Sequence, residues 1–139
     1  MKAFILPALV IAIGGAAAGC SGEIDNLPTT PDPVTVTETF SGSININGAA
    51  THNVFTGATG PVTATITSLG ESAPAKVGFS IGTLSSVGVC SVVMHKDDAV
   101  VNTSLSGTVS TLAGSLCVRI FDVGALTESV PYTFTVAHP

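Results

Sequence analysis

The sequence predicts an all-β protein whose folded part is a single antiparallel β-sandwich of seven or eight strands. From residue 34 onward, short runs rich in Val, Thr, Ile and Phe alternate apolar with polar residues, and Gly, Asn and Pro recur about every ten residues. No segment shows the apolar spacing of an amphipathic helix. Residues 34–139 are enough for one two-sheet domain and too few for two.

Eight segments carry the alternation, and turn residues separate them. The predicted strands are 34–44, 52–56, 62–69, 76–83, 89–95, 101–109, 116–123 and 132–137. The predicted turns contain Asn47-Gly48, Gly60-Pro61, residues 72–74, residues 85–88 and Ala113-Gly114, which supply positive φ or a fixed φ where the chain reverses.

The parity of apolar residues predicts which face of each strand is buried. Three strands give the clearest pattern: Val77, Phe79 and Ile81; Leu116, Val118 and Ile120; Tyr132, Phe134 and Val136. The same parity places Cys117 on the outer face of its strand, with Arg119 and Phe121.

The first nineteen residues predict a signal peptide that is removed. Lys2 supplies a positive charge, residues 3–16 are apolar, and small residues precede the cleavage site. The run Ala17-Ala18-Gly19-Cys20 resembles the lipobox of bacterial lipoproteins. The resemblance implies an acylated Cys20 at the mature N-terminus and anchoring at the outer membrane or cell surface of a bacterium. The alternatives are secretion or periplasmic release after cleavage near Gly19, and a retained transmembrane helix, for which the apolar run is short.

Residues 20–33 predict a tether between the lipid and the domain. Pro28, Pro31 and Pro33 lie among Gly, Thr and acidic residues, a composition that favours extended backbone. Without the leader, three Lys or Arg residues face nine Asp or Glu residues, a net charge of −6. This balance disfavours nucleic acid as a partner and leaves the acyl groups as the predicted membrane anchor.

The cysteine count predicts one disulfide. If the lipid takes Cys20, then Cys90 and Cys117 remain, and an oxidising compartment favours their pairing. The alternatives are two buried free thiols and a zinc site, which the lack of closely spaced ligands disfavours. The outward parity of Cys117 allows a bridge between adjacent strands of one sheet as well as one between sheets.

From about residue 37 to residue 136 the chain resembles the bacterial pre-peptidase C-terminal domains. The segments that carry the resemblance are 77–82 (VGFSIG), 113–121 (AGSLCVRIF) and 131–136 (PYTFTV). The resemblance implies a jelly-roll-like sandwich whose core strands carry no catalytic residues. Ala75-Lys76 stand where the family has acidic residues, so no calcium contact is transferred.

Few polar residues suit chemistry. Asp97 and Asp98, with Asn102 nearby, would begin a calcium loop, but they are too few for six to eight oxygen ligands and favour a solvated turn. His52, His95 and His138 lie in three separate segments, which disfavours a shared metal. Arg119 and Asp122 predict an exposed pair rather than an acid and base. No serine has a nucleophile-elbow context. We therefore expect no enzyme activity, metal or cofactor.

The remaining function classes are binding and structural roles. Glycan-binding sandwiches usually use exposed Trp or Tyr, and this chain has no Trp and only Tyr132, at a core position. A Thr-rich outer face or an exposed edge strand could recruit another envelope protein by strand addition. The sequence thus predicts a lipid-anchored, non-enzymatic envelope module, structural or protein-binding. The alternative is a carbohydrate-binding module of the cell surface.

Overall fold

The computed structural model describes residues 31–71, 76–111 and 114–139, and it confirms the all-β prediction. All eight predicted strands are present. They are β1 (Val36–Ile44), β2 (Ala49–Thr56), β3 (Gly60–Leu69), β4 (Val77–Leu84), β5 (Cys90–Ala99), β6 (Ser104–Val109), β7 (Gly114–Phe121) and β8 (Val130–His138). The predicted leader, Cys20 and most of the tether lie outside the described residues, as does the predicted turn at 72–74.

The strands form two packed antiparallel sheets of four. Sheet A has the order β1-β8-β3-β6, and sheet B has the order β2-β7-β4-β5. This is the strand order of an eight-stranded jelly roll. The predicted two-sheet sandwich is confirmed, whereas the strand order itself was not predicted from the sequence. The odd-numbered strands all begin at one end of the sandwich, and the even-numbered strands all end there. We call it the proximal end, because Pro33 lies there beside Gly60, and we call the other end distal.

The core lies between the sheets, and the predicted parity is confirmed. The ring centroids of Phe79 and Phe134 are 5.6 Å apart, so one aromatic residue from each sheet meets at the centre. Tyr132 is buried as predicted, at 3% exposure. The other buried apolar residues include Ile44, Val54, Val62, Ile66, Val77, Ile81, Val118, Ile120, Val130 and Val136.

The largest boundary difference is at the end of β5, before the connection from β5 to β6. β5 continues to Ala99, past the predicted end at His95, and β6 begins at Ser104 rather than at residue 101. Between them the chain turns at Asn102, whose φ is 70°, and its amide donates a 2.8 Å hydrogen bond to the Ile66 carbonyl on β3. Val100 and Val101 are β-branched residues typical of a strand, but they lie in the loop that crosses from β5 to β6.

Candidate functional site

Cys90 and Cys117 are joined by a disulfide, as predicted. The bridge lies within sheet B, but its strands are not adjacent, because β4 runs between β5 and β7. The start of β5 folds over the outer face of β4 at Gly82, where an added Cβ would collide with the Ser91 backbone. Cys117 is fully buried although it lies on the outer face, because this overlap covers it. Gly82 therefore makes the close approach possible.

Asp97 and Asp98 lie on an edge strand, not in the predicted turn. β5 is the last strand of sheet B, and both carboxylates are exposed. Oδ2 of Asp97 is 3.9 Å from Nε2 of His95. Among the described residues, no three His, Cys, Asp or Glu side chains form a group that could hold a metal ion. Charged side chains on an exposed edge strand oppose unwanted strand pairing, and Asp97 and Asp98 are placed to have this structural role.

The three histidines lie in three separate places, as the sequence indicated. His52, on the inner face of β2, packs among Phe40, Phe134 and Tyr132, and its Nε2 is 2.7 Å from the Tyr132 hydroxyl. Burial lowers the pKa of His52 and raises the pKa of Tyr132, so both groups are held neutral at neutral pH. This pair is a satisfied contact at the margin of the core.

His138 forms the second polar contact on the inner side of sheet A. Its Nε2 is 2.9 Å from Oε1 of Glu38 on β1, and only 5% of its side chain is exposed. The contact joins the last residue of β8 to its neighbouring strand. No local sequence pattern indicates this contact, because one hundred positions separate the two residues.

The prediction that Arg119 and Asp122 form an exposed pair is wrong. Oδ1 of Asp122 accepts hydrogen bonds from three consecutive backbone amides, beginning at Gly124, at 2.8 to 3.1 Å, and Oδ2 accepts one from Asn47 at 2.8 Å. These hydrogen bonds, of which the one from Asn47 has the largest effect, lower the pKa of Asp122 below its ordinary range. The guanidinium of Arg119 lies instead over the Phe121 ring, 5.6 Å from its centroid. Asp122 is thus a structural cap that joins two distal loops.

An apolar cleft opens between the two sheets along the side formed by β5 and β6. Its volume is about 110 Å³, and its walls are mainly apolar. Met94 of β5 and Gly107 of β6 approach closely at its mouth, where an added Cβ on Gly107 would lie 3.1 Å from Cε of Met94. The floor is formed by Val62, Ile81 and Leu116. Both flanking strands are sheet edges, so among the described residues each has a strand partner on one side only.

The outer face of sheet A is covered with hydroxyl groups. Thr65 and Ser104 are 2.7 Å apart through their side-chain oxygens, Thr63 and Ser106 are 3.0 Å apart, and Ser41 lies 3.2 Å from a further threonine. The outward Ser and Thr residues are Thr37, Thr39, Ser41, Ser43, Thr63, Thr65, Thr67, Ser68, Ser104, Ser106, Thr108, Thr133 and Thr135. The other outward positions of these strands are Pro61, Pro131 and Ala137, so the outward positions of sheet A carry no charged residue. Six of the hydroxyls are paired with one another.

No family model and no curated protein matches the sequence. Within residues 31–71, 76–111 and 114–139, the structure contains no helical segment able to cross a bilayer.

Proposed function

We propose that this protein is a non-enzymatic accessory domain of the bacterial cell envelope, anchored through acylated Cys20, that binds another envelope protein along the side formed by β5 and β6. The cleft between these two edge strands is the observation that carries the proposal. A strand added to either edge would satisfy free backbone groups and place alternate apolar side chains in the cleft. The resemblance to pre-peptidase C-terminal domains stays a prediction.

The surface of β5 beside the cleft favours a protein partner. Val92 and Val93 are exposed on this edge, with Val93 at 67%, and Val93 lines the cleft. Exposed β-branched residues on an open edge are unfavourable in isolation, and they suit an interface that is covered in use. The charged residues of β5, from Lys96 to Asp98, would confine pairing to its proximal half.

A photo-crosslinking residue placed at Val93 tests the proposal in living cells. We expect one discrete adduct with an envelope protein. A crosslinker at Val101, an exposed valine outside the cleft, should give none. Adding Val92→Lys to the Val93 chain should remove the adduct, because an edge lysine opposes strand pairing. Absence of an adduct at Val93, or equal adducts at both positions, would refute strand addition.

The anchor has its own test. Labelled palmitate should enter the wild-type chain and not the Cys20→Ser variant, which should be released from the membrane fraction. A wild-type protein that remains soluble and starts at another residue would contradict acylation of Cys20.

Glycan binding remains the second candidate, and the hydroxyl face of sheet A favours it. Its neutral array of donors and acceptors would suit a neutral polysaccharide, although Tyr132 is buried and provides no stacking surface. Affinity electrophoresis in gels containing neutral polysaccharides should show retardation that Thr65→Val reduces. Unchanged mobility in every such gel would argue against this alternative.

A further inference from the structure

Exposed apolar side chains gather at the proximal end of the sandwich. Phe55 is 67% exposed at the end of β2, and Val87, in the turn between β4 and β5, is 83% exposed. Val34 and Val36 are exposed where the chain enters β1, and Val89 is exposed beside Val87. These residues come from the start of β1 in sheet A and from β2 and the β4–β5 turn in sheet B, so both sheets contribute exposed apolar side chains to this end.

The turn that carries Val87 is held in place by its own hydrogen bonds. The amide of Ser85 donates to the Val89 carbonyl at 2.8 Å, and the amide of Gly88 donates to the Ser85 carbonyl at 2.9 Å. The Ser85 hydroxyl also accepts a 3.0 Å bond from the Val89 amide. Val87 is therefore presented outward by an ordered turn, so its exposure is a fixed feature of the surface.

The charged side chains, in contrast, lie mainly toward the distal end. Lys76 lies directly before β4 at the distal end. Lys96 and Arg119 also lie toward the distal end. In the strand register Lys96 is opposite Phe79 of β4 and Arg119 is opposite Thr51 of β2. Phe79 and Thr51 are each the third residue of a strand that begins at the distal end. Among the described acids only Asp32 and Glu38 are proximal, whereas the distal half has Glu71, Asp97, Asp98, Asp122 and Glu128. The distal end also exposes Ile46, Val100 and Val101, but this is the end of the sandwich that carries most of the described carboxylates.

We propose that the proximal end seats on the lipid bilayer and orients the sandwich with its distal loops away from the membrane. The inference rests on the proposed lipid anchor. The described chain begins at this end, with Pro33 beside Gly60, and thirteen positions separate Pro33 from Cys20. Such a short tether holds the domain at a millimolar effective concentration near the bilayer. A weak apolar contact therefore suffices, and an end whose described acids are only Asp32 and Glu38 loses little hydration free energy on contact with the bilayer.

The absence of tryptophan from the chain allows a direct measurement. Val87→Trp places the single tryptophan at the proximal end, and Val101→Trp places it at an exposed distal valine as the matched control. The mature chain from Cys20 onward is exported behind a signal peptide that has no lipobox, so that Cys20 keeps a free thiol. This thiol is coupled to neutral phosphatidylcholine vesicles that contain a maleimide lipid and brominated acyl chains. Chemical coupling supplies the anchor, so this test does not depend on acylation in the cell.

We expect the tryptophan at position 87 to shift its emission to shorter wavelength and to lose fluorescence to the brominated lipid. The tryptophan at position 101 should do neither. Adding Val89→Asp to the Val87→Trp chain should restore most of the lost fluorescence while leaving the melting temperature unchanged. Equal quenching at both positions, or none at position 87, would overturn the proposal that the proximal end contacts the bilayer. The palmitate experiment would still decide the anchor separately.

Discussion

Removal of the Cys90–Cys117 bridge should lower the free energy of unfolding by about 3.6 kcal/mol. The bridge joins residues 27 positions apart, and the loop-closure relation gives this value at 25 °C for a loop of that length. A small domain has about 5–15 kcal/mol in total, so the loss is a large part of its stability. The perturbation is the double variant Cys90→Ala with Cys117→Ala.

Urea unfolding followed by circular dichroism measures the effect, on exported chains that carry Cys20→Ser. With an m-value of about 1–3 kcal/mol per molar urea, the midpoint should fall by about 1–4 M. Ser91→Ala, an exposed neighbour of the bridge, is the control and should shift the free energy by less than about 0.5 kcal/mol. Reduction of the bridged chain should reproduce most of the loss without the packing defect of the alanines. A loss below about 1 kcal/mol, or stoichiometric thiol labelling of the unreduced denatured chain, would refute the reasoning.

Four further outcomes follow from single contacts. Gly82→Ala should cost about 1–3 kcal/mol in a melting experiment, because the new Cβ would collide with the start of β5, and an unchanged melting temperature would contradict that overlap. Tyr132→Phe should cost about 1 kcal/mol by removing the hydrogen bond to His52. Because burial lowers the pKa of His52, the unfolded chain takes up a proton more readily, so stability should be full above about pH 6.5 and fall below it; His52→Gln should flatten this fall in acid titrations. Asp122→Ala should lower the melting temperature and Asp98→Ala should not, and equal behaviour would contradict the cap.

The fold could be predicted from the sequence because its signals are local. Alternation of period two in segments such as Val77–Leu84 and Val130–His138 is set by the pleat, and it fixes which side chains face the core. Glycine and asparagine at the reversals are equally local, as at Asn47, whose φ is 54°. The burial of Tyr132 follows from the same parity.

Two of the differences arise where a side chain acts over a long sequence distance. Asp122 looked like an exposed partner for Arg119 because the two are near in sequence, but its Oδ2 accepts from Asn47, 75 positions away. The route of the disulfide over β4 depends on strand order in sheet B, which alternation does not specify. The sequence also gave no sign that charges collect at one end, since that arrangement depends on strand directions in both sheets.

The two proposed surfaces together predict that partner binding depends on the anchor. Strands run between the proximal and distal ends, so a strand added beside the cleft would run roughly perpendicular to a bilayer that holds the proximal end. The cleft residues Val93 and Val109 lie toward that end, which places the binding side close to the membrane. A membrane-attached partner would then meet the cleft in a favourable orientation and at the raised effective concentration that the tether provides. The Val93 adduct should therefore decrease strongly in the Cys20→Ser chain at equal expression. An undiminished adduct from the released chain would show that the partner is soluble and that the anchor does not contribute to recognition.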